Sequence, residues 1–270
     1  MTTSVAVSVV IPCYRCTKTI ARAVASVAAQ TSVPAEVILV DDGSGDETRV
    51  LLPALQGRYP PGWIRLVSLD QNLGAGSARN AGWAVASQPY VAFLDADDAW
   101  HPQKIEIQVA YMEANPDVAL SGHGYRLLER DVLPDWSVEK GEALLVSKWA
   151  MILSNRFVTP SAMLRRDLVQ RYAEGQRHME DHMLWMSIIC SGGRVVKFPA
   201  ELAAIYKASY GVTGLSAQFW AMERGELGNF RRMYREKWIN SFQLAFLDFY
   251  SILKFGRRLL IYWGYLRWTK

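Results

Sequence analysis

The chain has 270 residues, 50% of them hydrophobic and 21% charged, which suits one large α/β domain, or a domain plus an appendage, and excludes a disordered or fibrous protein. Its formal net charge of +4 is too mild to indicate nucleic-acid binding, and no nucleic-acid partner is expected. Three cysteines, Cys13, Cys16 and Cys190, exclude a disulfide scaffold and fit a reducing compartment.

The first segment, MTTSVAVSVV, lacks the basic start of a signal peptide. Ser4 to Pro12 is β-branched and almost continuously apolar, as a strand buried on both faces reads. Thr19 to Gln30 has helical composition and spacing. Glu36 to Val40 is a second strand running into Asp41 and Asp42. Ser44 and Glu47 stand at capping-box spacing for a helix over Glu47 to Leu55. WIRLVSL is a third strand, GAGSARNAGWAVA a helix approached through glycines, and PYVAFLD a fourth strand. HPQKIEIQVAYMEA is a helix with Pro102 near its start. Strands alternating with helices of about three turns predict βαβ units and a parallel sheet.

In such sheets ligands gather beyond the carboxyl ends of the strands. Pro12 and Tyr14 follow the first strand, Asp41 and Asp42 the second, and Asp95, Asp97 and Asp98 the fourth, so one crevice can collect them. Carboxylates this close repel one another unless a cation or a donor meets them. Asp46 and Ser44 read as turn and cap residues. Asp95 and Asp97, two apart at a strand end, can place oxygens on one hard cation, Mn²⁺ or Mg²⁺, with phosphate oxygens completing its shell. The Cys13-x-x-Cys16 pair has no second ligand pair for zinc and reads as packing. Gly74 and Gly76 form a GxG, but a dinucleotide fingerprint belongs after the first strand, where this chain has IPCYRC.

VSVVIPCY, VDDGS, NLGAGSARNAG, FLDADD and MEDHMLW, in this order and spacing, resemble family 2 of the inverting glycosyltransferases over about residues 4 to 215. The resemblance implies a GT-A fold, a Rossmann-like α/β nucleotide-sugar transferase fold, over residues 1–220, with a nucleotide half to about 100 and an acceptor half beyond. It also implies a nucleotide-diphosphate sugar donor, most often a UDP-sugar. Pro12 and Tyr14 match positions along base and ribose, Asp41 the acceptor of a base hydrogen bond, with Asp42 beside it, and Arg79 a basic residue facing the nucleotide. Asp95, Ala96 and Asp97 match the DxD donor and metal site. Asp181 matches the catalytic base, with Glu180 beside it. Lys207 opens KASYGVTGLSAQ, which resembles a mobile loop that folds over the diphosphate. Arg15 replaces the Asn that many relatives carry after the Tyr, and the late loop offers no third His or Asp ligand.

His178 and His182 are four apart, a zinc-like spacing, but the Glu of a zincin would directly follow the first His, where Met179 stands. From Lys237 the composition turns aromatic, aliphatic and basic. Phe242, Phe246, Phe249, Leu253, Leu260 and Trp263 form one helical stripe, and Asp248, Ser251, Lys254 and Arg258 another. Residues 221–270 therefore read as an amphipathic helical extension meeting an anionic membrane surface, or else packing on the catalytic domain or a second subunit. A homo-oligomer stays open.

Together these readings predict a metal-dependent, inverting hexosyltransferase of bacterial surface-polysaccharide or lipopolysaccharide assembly. It would act on a saccharide or lipid-linked glycan in the cytoplasm, peripheral to the inner membrane. A nucleotidyltransferase would need a glycine-rich triphosphate loop after the first strand, which is absent. A non-catalytic nucleotide-sugar-binding subunit would not need both DxD acids and a matching base.

Overall fold

The computed structural model describes residues 4–128, 141–206 and 218–268, with side chains described through residue 261. Its first half is the βαβ succession expected. Strands β1 (Ser4–Cys13), β2 (Val33–Asp42), β3 (Ile64–Leu69) and β4 (Tyr90–Phe93) alternate with helices α1 (Ile20–Ala28), α2 (Thr48–Gln56) and α3 (Ala75–Val85). The second half contains β5 (Ala99–Trp100), α4 (Lys104–Ala114), β6 (Val118–Leu127), β7 (Leu144–Leu145), α5 (Lys148–Leu153), a 3₁₀ turn (Thr159–Ser161), β8 (Met163–Arg165), α6 (Glu180–Cys190) and β9 (Arg194–Ile205). Two helices close the chain, α7 (Phe219–Arg235) and α8 (Ser241–Trp268).

The strands form one sheet in the order β3-β2-β1-β4-β8-β6-β9-β5, with β7 paired to β9. The β3-β2-β1-β4 block is parallel. β8 then runs antiparallel to both β4 and β6, while β9 runs parallel to β6. The parallel sheet expected from the strand–helix alternation is thus the β3-β2-β1-β4 block of a larger, mixed sheet. Short β8 is the adaptor that joins the two parallel parts.

Both faces of the sheet are covered, which is why the strands read as unbroken apolar runs. Val7, Val9, Ile11, Val37 and Leu39 point to one core with Ile20, Val24, Leu52 and Ile105. Their neighbours Val10, Ile38 and Val40 point to the other, with Trp83, Trp185, Phe230, Met233 and Leu247. The second core therefore draws on α7 and α8, and these helices are built into the body rather than hung from it.

Two glycines set the approach of elements to the sheet. A Cβ at Gly82 would lie 2.4 Å from a Val10 methyl and 3.0 Å from a Val40 methyl, so α3 lies closer to β1 and β2 than any other residue there allows. Gly43 has φ +64°, and a Cβ would meet the backbone of Gln71 at 2.4 Å. The Ser44–Glu47 capping box does not form, because Ser44 Oγ accepts the Arg15 N–H at 3.1 Å while the Ser44 N–H donates to Asp41. Asp46, just before the N-cap Glu47, instead accepts the Thr48 N–H at 3.1 Å in the turn that enters α2.

α7 ends in a Schellman turn, with Trp238 N–H donating to Met233 and Lys237 N–H to Tyr234, and with Lys237 at φ +60°. α8 then folds back along α7. No helix among the described residues is long and apolar enough to cross a membrane.

Candidate active site

The carboxyl ends of β1, β2 and β4 bring the acidic motifs to one edge. Pro12 pairs in register with Val40 and Cys13 with Asp41, and Tyr14, just beyond, is 44% exposed. Asp41 is buried, accepts the Ser44 N–H at 3.0 Å and lies 3.8 Å from Arg49. Asp42 accepts from the Asn72 amide at 3.0 Å and from the Leu73 and Gly74 N–H groups at 2.8 and 2.9 Å. Both of its oxygens thus hold the glycine-rich approach to α3, a positioning role that DDGS alone does not reveal.

After β4 the chain turns sharply, the Asp98 N–H donating to the Asp95 carbonyl. Oxygens of Asp95, Asp97 and Asp98 lie within 4.8 Å of one another. Asp98 is fully buried and accepts the Tyr206 N–H at 3.2 Å. The Asp97 carbonyl accepts from Arg22 at 2.6 Å, and that guanidinium sits 3.7 Å from the Tyr206 ring centroid. α1 and the end of β9 therefore hold the acidic turn from two sides. An all-carboxylate set with two half-buried members fits a hard divalent cation with open positions for substrate oxygens.

Arg79 joins this turn to the second acidic motif. It is buried on α3, one nitrogen 2.5 Å from Asp95 and another 3.4 Å from Glu180. Burial works against its charge, but Asp95, Tyr172 and Glu180 more than compensate, so the guanidinium is held protonated. The resemblance placed Arg79 against the nucleotide. In the structure its fork holds two carboxylates from motifs 85 positions apart in the chain.

Glu180 and Asp181 open α6. Met179, just before them, has φ +56°, a left-handed conformation of the kind that concentrates at functional turns. Burial, with Asp181 next to it and Arg79 opposing, pushes the Glu180 carboxyl up to about 7. Asp181 accepts the His182 N–H at 2.6 Å on one oxygen and the Asn155 amide at 3.0 Å on the other. The Asn155 carbonyl accepts the Phe157 N–H at 3.3 Å, which fixes the amide with its NH₂ toward Asp181. The Met179 turn is braced from α7, where the Asn229 amide donates to the Met179 carbonyl at 2.9 Å and accepts from Gln176 at 2.9 Å.

His178 precedes α6 while His182 lies within it, so the two do not share a helical face. His182 is buried and its Nε2 meets the Met151 carbonyl at 2.7 Å. Asp95, Asp97 and Asp98 form the cluster fit for a metal among the described residues. Cys13 and Cys16 are buried free thiols, in keeping with packing. Lys207 and the loop through residue 217 lie outside the described residues. Sequence reasoning missed Asn155, Arg22, Tyr206 and Asn229. Each acts through a partner at least 26 positions away and carries no local pattern of its own.

Residues 8–172 match the family described as Glycosyl transferase family 2. The chain belongs to glycosyl transferase family 2. It is 31% identical over 207 residues to the succinoglycan biosynthesis protein ExoO of Rhizobium meliloti, covering 72% of this chain and 58% of that protein. It is 29% identical over 184 residues to WfgD of Escherichia coli, covering 68% of this chain and 69% of that one. WfgD is named a UDP-Glc:α-D-GlcNAc-diphosphoundecaprenol β-1,3-glucosyltransferase. TarS 1-349 of S. aureus, solved in complex with UDP, superposes with a TM-score of 0.63 at 19% identity, over 84% of this family 2 chain and 65% of TarS 1-349. That likeness is one of fold, the mixed GT-A sheet. The chain thus spans under two thirds of the length of ExoO.

Proposed function

We propose that this family 2 chain transfers a sugar from a nucleoside-diphosphate donor, a UDP-sugar, to a saccharide hydroxyl with inversion at the anomeric carbon. The product would enter bacterial surface-polysaccharide or lipopolysaccharide assembly. The observation that carries the reading is Arg79, whose buried fork ties the DxD acid Asp95 to Glu180, next to Asp181. Donor-side and acceptor-side chemistry thereby share one ionic bridge. The UDP-Glc and diphosphoundecaprenol in the name of WfgD support a UDP-sugar donor and a lipid-linked glycan acceptor. Nucleotide sugars are cytoplasmic metabolites, so a peripheral position on the cytoplasmic face of the inner membrane follows.

In this mechanism Pro12, Tyr14 and Asp41 line the nucleoside and Asp95 and Asp97 take the diphosphate side. A divalent cation, Mn²⁺ or Mg²⁺, held by Asp95 and Asp97 would neutralise charge developing on the leaving diphosphate. Asp181 accepts the proton of the attacking hydroxyl. Asn155 and the His182 N–H hold its two oxygens in place. A single displacement needs only this one base. Arg79 keeps Glu180 and Asp95 from repelling each other across the site.

The test is calorimetry with UDP-, GDP-, dTDP- and CMP-sugars, with and without Mn²⁺, on wild type and Asp97→Ala. Binding of one nucleotide class that needs both metal and Asp97 is expected. Asp181→Asn should keep donor binding and lose about 10²-fold or more in kcat. A variant that turns over at the wild-type rate would remove Asp181 from the mechanism.

A further inference from the structure

α8 packs with its polar stripe inward. Ser251 is fully buried and donates to Glu223 at 2.8 Å. Lys254 lies 2.5 Å from Glu226, and Arg258 3.2 Å from Glu223 and 3.5 Å from Glu226. Glu223 and Glu226 stand one turn apart on the buried face of α7. Two carboxylates placed there need cations opposite them, and α8 supplies these only with this face turned in. Rotation of α8 would strand the acids, so the apolar stripe is forced outward. Phe242 is 80% exposed and Leu260 76%, with Phe246, Phe249 and Leu253 exposed between them.

The charge around this stripe is one-sided. Residues 219–261 hold eight Lys and Arg against four Asp and Glu, a net +4 that equals the formal charge of the whole chain. Two of the four acids, Glu223 and Glu226, are buried against α8, whereas Arg224, Arg231, Arg235, Lys237 and Arg257 are exposed. At the elbow between the helices lies an open cleft of about 610 Å³ lined by Arg235, Lys237, Tyr234, Trp238 and Gln243.

We propose that the outward face of α8, together with the cationic elbow, docks on an anionic lipid bilayer, with α8 lying in the interface plane. Exposed aromatic and aliphatic side chains beside Arg and Lys match the two attractions such a surface offers, apolar burial below the headgroups and charge at their level. A second copy of the chain is the poorer occupant, because a two-fold contact sets the same cations face to face. The proposal deepens the lipid-linked acceptor reading above and rests on it only for its purpose. The surface itself rests on the ionic lock between α7 and α8.

The full chain would be sedimented with phosphatidylglycerol-containing and with pure phosphatidylcholine vesicles, and nucleotide-sugar binding measured in parallel. Wild type should partition onto the anionic vesicles. The triple variant Phe246→Ser, Phe249→Ser, Leu253→Ser should partition at least about tenfold less. Arg257→Glu should lose about fivefold or more on anionic vesicles alone. Donor binding should be unchanged in both, which also reports that they fold. Undiminished partition of the triple variant overturns the proposal. So does a wild type that ignores vesicles, whether it stays a monomer or forms a dimer that the triple variant dissociates. Vesicle binding without binding of any nucleotide sugar would sink the proposed function and leave the docking surface standing.

Discussion

The residues that aim the site are under visible strain and charge. Glu180 has an ordinary value of 4.5 and is raised to about 7 in the fold. Between those values the native chain binds more protons than the unfolded chain, so the stability Glu180 contributes falls as pH rises through this window. Thermal unfolding of the metal-free chain from pH 5 to 8 should therefore show a decline that Glu180→Gln flattens; parallel curves would mean that Glu180 is not perturbed. Arg15 has φ +49°, where a long side chain is disfavoured and Asn is better tolerated. Arg15→Asn should raise stability by roughly 0.5–1 kcal/mol in denaturant titrations, and a loss would show that the stacking of Arg15 near the Tyr14 ring, 5.3 Å from its centroid, matters more.

Among the elements, α3 does the most positioning. It carries Arg79 to the acids, its approach is held by Asp42, and Gly82 lets it press on Val10 and Val40. Gly82→Ala gains a little helix propensity but forces a Cβ into two β-branched side chains on a buried sheet. Overpacking of that kind costs about 1–3 kcal/mol, and because α3 must lift, the same variant should bind donor more weakly. Chemical denaturation and calorimetry on one preparation would check both; a stable variant with weakened binding would place the glycine's role in the site alone. The αβ alternation, the strand cores and the positions of α1 to α4 were legible because hydrophobic period is local information. Element ends shifted by one to three residues, as with α4, which starts at Lys104 after a turn containing Pro102. The capping box failed because tertiary partners, the Arg15 N–H and Asp41, competed for Ser44.

Across the whole molecule the C-terminal hairpin is tied to the turn that carries the proposed base. Asn229 of α7 clamps the Met179 turn, and Gly225 lets α7 approach close enough to do so, since a Cβ there would lie 2.9 Å from the His178 carbonyl. Asn229→Ala should lower kcat about tenfold with donor affinity unchanged, because the turn that aims Asp181 loosens while the nucleotide side is untouched. Equal losses in donor binding and rate would instead indicate general destabilisation.

The order of the motifs and their places at strand ends were determined by sequence alone, because a doubly covered parallel sheet writes itself as apolar runs with special residues only where each run stops. The two stripes of α8 were equally plain. Which stripe faces the protein was decided by Glu223 and Glu226, acids 28 to 35 positions away from their partners, and periodicity says nothing about a partner that distant. The same holds for Arg79. Its residue type indicated an anionic partner, but only the packing of α3 on β1 and β2, which sets Arg79 between Asp95 and Glu180, determined that two carboxylates share it.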